Sequence, residues 1–416
     1  MKDIDQIINK FNIPIKEVKI ASGLLKQINQ ILEKLGFENK QTLFITDSNI
    51  YNNISHSYRE IIENSSFEKL ILQAPKADEN NINQILQSAK NYKLIIGLGS
   101  GTINDLCKLS SFKMNISYII FASAASMSGY ASANASISVN KLKQSLQAHL
   151  PLAIYYDLDI IKNAPQRLTK AGIGDSMCYS TCQFDWLLSH LILNTEYNPD
   201  AFEILHPFHQ QLINFEGNSL KGDKLIELLC IILTISGLAM CISKGSYPAS
   251  QAEHMVAHYL DMQYPKIMAK SFHGEQIAVT TLSMADIQEA ILQEKQLQIK
   301  PSIVSLEEIN AIFSPKLAKL CQKEVEEKIF SQQKTDKINQ LLKDNWQNIK
   351  NKLKSVFISK IELLKLAKKF DLPTKAEDIE VNEEIYKEAL KNANLIRNRF
   401  TALDIYNLKT KSYESN

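Results

Sequence analysis

The chain has 416 residues, too many for one ordinary hydrophobic core, so two domains of roughly 150 to 250 residues each are expected. Hydrophobic residues make up 45% and charged residues 22%, the balance of a soluble globular protein rather than a disordered or fibrous one. Forty-seven Lys+Arg against 45 Asp+Glu leave a formal net charge of +2, so no nucleic-acid partner is expected. The six cysteines (Cys107, Cys178, Cys182, Cys230, Cys241, Cys321) form no CxxC pair and sit among apolar neighbours. They read as reduced, buried cysteines of a cytoplasmic protein. Met1-Lys2-Asp3-Ile4-Asp5 lacks the apolar core of a signal peptide. The longest apolar run, Leu228 to Ser243, contains Gly237 and falls short of the ~20 residues a membrane span needs. A buried core helix is expected there, and no membrane span.

Residues 1–165 alternate short β-rich runs with helical patterns. Gln41-Thr42-Leu43-Phe44-Ile45-Thr46 reads as a buried strand ending at Asp47, and Leu70-Ile71-Leu72 as a second. Glu79 to Asn91 carries helical spacing. Lys93-Leu94-Ile95-Ile96-Gly97-Leu98 and Ser117-Tyr118-Ile119-Ile120-Phe121 complete four strands. Strands separated by helices require crossover connections and hence a parallel sheet, whose ligands gather at the strands' carboxyl ends.

The third strand runs into Gly99-Ser100-Gly101-Thr102-Ile103-Asn104-Asp105, where a helix is predicted to start. Small residues at such a junction let backbone N–H groups approach a pyrophosphate, aided by the positive end of the helix. Asp47, at an earlier strand tip, suits a ribose 2′-hydroxyl and so favours NAD over NADP. A capping Asx-turn is an equally good use of that carboxylate. After the fourth strand, Ser123-Ala124-Ala125-Ser126-Met127-Ser128-Gly129-Tyr130-Ala131-Ser132 offers hydroxyls and backbone groups to a polar pocket.

From residue 166 to 416 helical patterns take over, and an all-helical second domain is predicted. Asp175, Tyr179 and Cys182 fall on one face, followed by Asp185-Trp186. Further helices are predicted from Leu225 to Cys241, Ala252 to Met262, Ala278 to Gln293, Leu317 to Phe330, Thr335 to Phe357, Lys360 to Phe370 and Asn382 to Arg399. Within this half, His254 and His258 are four apart and leave the same helix face. His273 follows at the start of the next apolar helical pattern. Two imidazoles and one carboxylate hold a divalent metal with a position left open for substrate, and Gly174-Asp175-Ser176 supplies the best carboxylate.

Taken together and in order, Gly99 to Asp105, Ser126 to Ser132, Gly174-Asp175, Asp185-Trp186, Pro248 to His254, His273-Gly274-Glu275-Gln276 and Arg397-Asn398-Arg399-Phe400-Thr401-Ala402-Leu403-Asp404 resemble the sn-glycerol-1-phosphate dehydrogenases. Those enzymes belong to the iron-containing alcohol dehydrogenase and dehydroquinate synthase-like superfamily. The matches run from about residue 20 to 406. The resemblance implies an α/β N-terminal Rossmann-like domain with a parallel sheet over 1–165, and an all-α C-terminal domain binding metal and substrate over 166–416. It implies that Gly99, Ser100, Gly101, Thr102, Ile103, Ser123, Ser126 and Ser132 contact NAD or NADP. Asp175, His254 and His273 are implied to hold one divalent metal, zinc first, with nickel or iron(II) as alternatives. Asp175, His258 and Ser128 are implied at the substrate, a phosphorylated triose, and a homo-oligomer is expected.

The sequence also departs from the family pattern. Ser128 stands where aspartate is usual, Tyr179 where lysine is usual, Tyr247 where arginine is usual and Gln251 where glycine is common. Losing two cations weakens any phosphate site they serve. A polyol dehydrogenase acting on an unphosphorylated substrate, and a catalytically silent relative, are therefore the competing readings.

Overall fold

The computed structural model describes residues 2–139, 142–302 and 304–409. Among the described residues of the first 157 lie eight strands: β1 (Glu17–Ala21), β2 (Thr42–Asp47), β3 (Glu68–Leu72), β4 (Leu94–Gly99), β5 (Ser117–Ala122), β6 (Asn134–Val139), β7 (Leu142–Gln147) and β8 (Ala153–Asp157). Six of them form a parallel sheet in the order β1-β8-β5-β4-β2-β3, and β6 pairs antiparallel with β7. Every residue of β4 and β8 is buried, as expected of strands covered on both faces. The helices that position the site are α1 (Gly101–Met114), α2 (Gln166–Ser176), α3 (Tyr179–Leu193), α4 (Asp223–Ile242), α5 (Ala252–Gln263), α6 (His273–Gln293) and α7 (Ala402–Leu408).

The connection leaving β2 runs to β3 on one side, whereas that leaving β4 runs to β5 on the other. A crevice opens at the carboxyl ends of two adjacent strands whose connections diverge in this way. Thr46 pairs with Leu98, so Asp47 and Gly99 flank that crevice.

The chain divides into two compact units, Met1–Ser176 with Glu203–Gly245, and Met177–Phe202 with Ser246–Asn416. The sequence places the boundary at 165/166 and assigns every later helix to a second domain, whereas α2 and α4 here belong to the first unit. For α4 the cause is its apolar surface. The α4 helix is hydrophobic all round, with a mean hydropathy of 2.5 over a window that is 67% buried, and such a helix must be enclosed. Its Thr234 Oγ1 donates to Tyr156 Oη on β8 at 2.9 Å. Among the described residues it is the one helix long and apolar enough to cross a membrane, and here it is a core helix of the sheet-bearing unit.

Three predicted helices differ at their ends. The pattern around Asp175, Tyr179 and Cys182 is broken after Ser176, so Asp175 ends α2 while Tyr179 and Cys182 begin α3. The helix predicted to Phe330 ends at Glu326, and Phe330 instead forms a β-bridge with Ser302. The helix predicted from Asn382 to Arg399 ends at Asn392 and tightens into a 3-10 turn over Ala393–Ile396. Arg397 is then fully extended, at φ −150° and ψ 152°.

Candidate active site

In the first unit, the turn from β4 into α1 closes so tightly that a Cβ on Gly99 would lie 2.3 Å from Ile103 Cβ. Only glycine fits that approach. Ser100 is the extended N-cap of α1 and makes no side-chain cap bond, so the first-turn amides of Gly101, Thr102 and Ile103 have no intrahelical acceptor. Ser123 N donates to Gly99 O at 3.0 Å, bringing the second hydroxyl-rich loop beside the first. Ser123, Ser126 and Ser132 are all buried. Asp47 caps the short helix that follows β2, accepting Ile50 N at 2.8 Å through Oδ1.

A lysine the sequence reading passed over braces this loop from below. Lys108, fully buried on α1, donates to Gly129 O at 2.6 Å, Asn134 O at 3.0 Å and Ser132 Oγ at 3.1 Å, with Asp105 Oδ1 at 3.8 Å. Burial lowers its pKa and the Asp105 carboxylate raises it. On the other side of the loop, α2 presses in at Gly172, where an added Cβ would meet Ala125 O at 2.0 Å. One turn on, Asp175 Oδ2 accepts Ser128 N at 2.9 Å. Two of the expected substrate-side residues are thereby joined, with Asp175 only 3% exposed.

In the second unit, the three histidines converge. His254 and His258 lie on α5, and His273 is the first residue of α6, whose opening turn is fixed by Glu275 Oε2 accepting Phe272 N at 2.7 Å. The ring centroids are 5.1 Å apart for His254 and His273, and 5.7 Å for each of these with His258. A zinc–nitrogen bond of about 2.0 to 2.1 Å puts an imidazole centroid ~3.2 Å from the ion, so two such rings at a tetrahedral angle stand ~5.2 Å apart. The His254 and His273 pair fits that spacing.

Glu253 orients the first of these rings. Its Oε1 receives the His254 Nδ1 proton at 2.9 Å, which leaves Nε2 for a metal. The carboxylate also accepts Gln251 N at 2.7 Å, Thr181 Oγ1 at 2.9 Å and Cys182 Sγ at 3.2 Å. Burial pushes the Glu253 carboxyl up, but these bonds and the His254 ring outweigh it and hold it at about 2. Cys178, Glu253 and His254 also have donor atoms within 4.8 Å of one another. With Glu253 engaged by four donors, that group supports His254 rather than forming a second metal centre.

His258 is held differently. Arg397 Nη2 lies 3.3 Å from its Nδ1. A guanidinium can only donate, so Nδ1 accepts and the ring proton sits on Nε2. The Nδ1 atom of His258 is thereby engaged by Arg397.

The two substituted tyrosines serve packing. Tyr179 is buried with its ring 5.7 Å from Phe202, and Tyr247 stacks on Trp186 at 5.1 Å. Glu253, Lys108, Arg397 and Arg399 are the contributors that the sequence reading did not assign. Of these, Glu253 carried a local signal by preceding a candidate ligand, and Arg397 and Arg399 stood in a family motif without a role.

Residues 19–165 match the family model described as iron-containing alcohol dehydrogenase. Over 274 residues the chain is 34% identical to a Pyrococcus horikoshii protein named glycerol-1-phosphate dehydrogenase (NAD(P)+), covering 65% of this chain and 78% of that one. A protein of the same name from Geobacillus thermodenitrificans is 27% identical over 346 residues, 80% of each chain. Among solved structures, a probable glycerol dehydrogenase from Sinorhizobium meliloti superposes with a TM-score of 0.61 at 15% identity, covering 94% of this chain and 97% of that one. At that identity the likeness establishes the fold.

Proposed function

The chain belongs to the glycerol-1-phosphate dehydrogenase family of iron-containing alcohol dehydrogenases, and on that premise we propose that it interconverts dihydroxyacetone phosphate and sn-glycerol 1-phosphate with NAD(H) and one divalent metal. The observation that carries this reading is the cluster of His254, His258 and His273, in which two rings have metal-ligand spacing and the third is hydrogen-bonded to Arg397. The family resemblance supplies Asp175 as the third ligand, and zinc, nickel or iron(II) are the metals such a donor set suits. When bound, the metal supplies polarisation of the ketone oxygen and the nicotinamide supplies the hydride.

The chain's own residues do the rest. His258 would donate a hydrogen bond through Nε2–H to the oxygen that becomes the alcohol, with Arg397 holding that tautomer. Glu253 keeps His254 in register. Gly99, Ser100, Gly101, Thr102 and Ile103 offer backbone to the dinucleotide phosphates, Ser123, Ser126 and Ser132 line the same crevice, and Asp47 favours NAD at the ribose. Ser128 takes the place of a charged group at the substrate and contributes a neutral hydroxyl. Six free thiols, five of them buried, fit a reducing cytoplasm.

Reconstituting the purified protein with zinc, nickel or iron(II) and following NADH oxidation tests this directly. Dihydroxyacetone phosphate should be reduced with a far higher kcat/KM than dihydroxyacetone. Turnover restricted to the unphosphorylated ketone would instead make the protein a polyol dehydrogenase, and metal uptake without turnover of either would remove both assignments.

A further inference from the structure

Arg397 and Arg399 follow the 3-10 turn at Ala393–Ile396, and both reach back about 150 residues along the chain to the segment from Ser246 to Ser250. Arg397 Nη1 donates to Ser250 Oγ at 3.2 Å and its Nη2 to His258 Nδ1. Arg399 Nη1 donates to Ser250 O and, at 3.5 Å, to Ser246 O, while its Nη2 donates to Ser246 Oγ at 2.8 Å. Its guanidinium lies over the Tyr247 ring at 4.4 Å. Every one of these partners is neutral. Among the described residues, no carboxylate lies within ion-pair distance of either guanidinium. Glu324 and Glu253 act on Arg397 only through space, and Glu253 already serves four donors.

Two partly buried like charges that converge on one serine are costly without a counter-ion. Burial, and then repulsion from Arg397, brings the Arg399 pKa down to about 9, which is the electrostatic mark of that missing partner. Planar guanidiniums with donors to spare suit the oxygens of a phosphate. Both arginines are half-buried rather than enclosed, and the neighbouring Tyr247 is 37% exposed. Tyr247 stands where an arginine is usual in the resemblance, and here its ring carries the guanidinium of Arg399.

We propose that Arg397 and Arg399 form an anion subsite that binds the phosphate monoester of the substrate. The inference rests on the dehydrogenase reading above, because it takes the reacting carbonyl to lie at His258. Dihydroxyacetone phosphate carries its phosphate on a carbon next to its carbonyl, and Arg397 already touches the ring that would hydrogen-bond that oxygen. The subsite selects the phosphorylated ketone over the free one, and its charge comes from the tail rather than from positions 179 and 247.

The test titrates inorganic phosphate into the full-length wild-type chain and into Arg397→Gln, Arg399→Gln and Arg399→Lys, by calorimetry, with circular dichroism confirming the fold. Each Gln variant should bind phosphate about tenfold to a hundredfold more weakly, and Arg399→Lys, which keeps the charge but loses the planar fork, about threefold to tenfold more weakly. In turnover, KM for dihydroxyacetone phosphate should rise by a similar factor while KM for NADH stays put. Unchanged phosphate affinity in the folded variants overturns the subsite, and a rise in KM for NADH alone reassigns it to the nucleotide. If the Gln variants do not fold, the Lys variant decides, and an unaltered affinity there overturns the claim. Wild-type protein that binds phosphate through these arginines yet never turns over dihydroxyacetone phosphate would refute the activity and leave the subsite standing.

Discussion

His254 acts as a ligand only if its ring is presented through Nε2, and that presentation comes from the residue beside it. Glu253 is fully buried and stays ionised because His254, Gln251 N, Thr181 and Cys182 all donate to it. Removing its charge while keeping its shape should leave the helix in place and loosen the ring. Glu253→Gln is expected to lower metal affinity about tenfold to a hundredfold, read by zinc competition against a calibrated chelator. An affinity equal to wild type would mean that His254 is oriented by something else. At this scale the sequence was partly legible. The histidines announce themselves by type and spacing, and Asp175 by standing among glycine and serine. Arg397 and Arg399 did not, because their partners lie 139 to 153 residues away and helical periodicity carried through them a helix that ends at Asn392.

Asp185 shows how the elements of the second unit are tied together. Buried on α3, its Oδ2 accepts the N–H of Ala252, the first residue of α5, at 3.3 Å. Its Oδ1 accepts the N–H of Ala402, the first residue of α7, and Gln288 Nε2 of α6, both at 3.0 Å. One carboxyl group thus satisfies the starts of two helices, including the helix that bears His254 and His258. Burial, and then the charge on Glu253, pushes Asp185 up to about 8 from an ordinary 3.8. A carboxyl raised on folding contributes stability that is complete below 3.8 and lost as pH rises through about 8. Asp185→Asn removes that titration but leaves an amide facing N–H donors. The variant should melt below wild type at pH 5, and the gap should narrow toward pH 9. A gap that is constant or widens across that range would contradict the raised pKa.

The same scale explains which elements the sequence revealed. The strands β2 to β5 stand out because apolar runs such as Leu94-Ile95-Ile96 end at turn residues. The edge strand β1 alternates partly buried with buried residues, and β8 is a short run beginning just after Pro151, so neither stands out by run length. Pattern also cannot say which core a helix joins. The apolarity of α4 is plain in the sequence, but its assignment to the sheet-bearing unit depends on contacts such as Thr234 with Tyr156. The close approach of α2 to the Ser123 to Ser132 loop at Gly172 is likewise a property of packing, and it is what allows Asp175 to meet Ser128.

For the whole molecule, composition set the outer bounds and motifs set the chemistry. A net charge of +2 over 416 residues offers no long-range field to recruit a polyanion, so the affinity for a phosphorylated substrate must be local, in cations placed beside the reacting group. The central claim is that Asp175, His254 and His273 hold one divalent metal on which ketone reduction depends, while His258 hydrogen-bonds the reacting oxygen. Metal content by mass spectrometry, measured on the same samples as NADH oxidation with dihydroxyacetone phosphate, tests it most directly. Wild-type protein should hold a single zinc, nickel or iron ion per chain. Asp175→Ala and His254→Ala should lose metal and turnover together, whereas His258→Ala should keep its metal and lose about a hundredfold or more in kcat. Stoichiometric metal in Asp175→Ala or His254→Ala, or turnover that survives metal loss, would contradict the account.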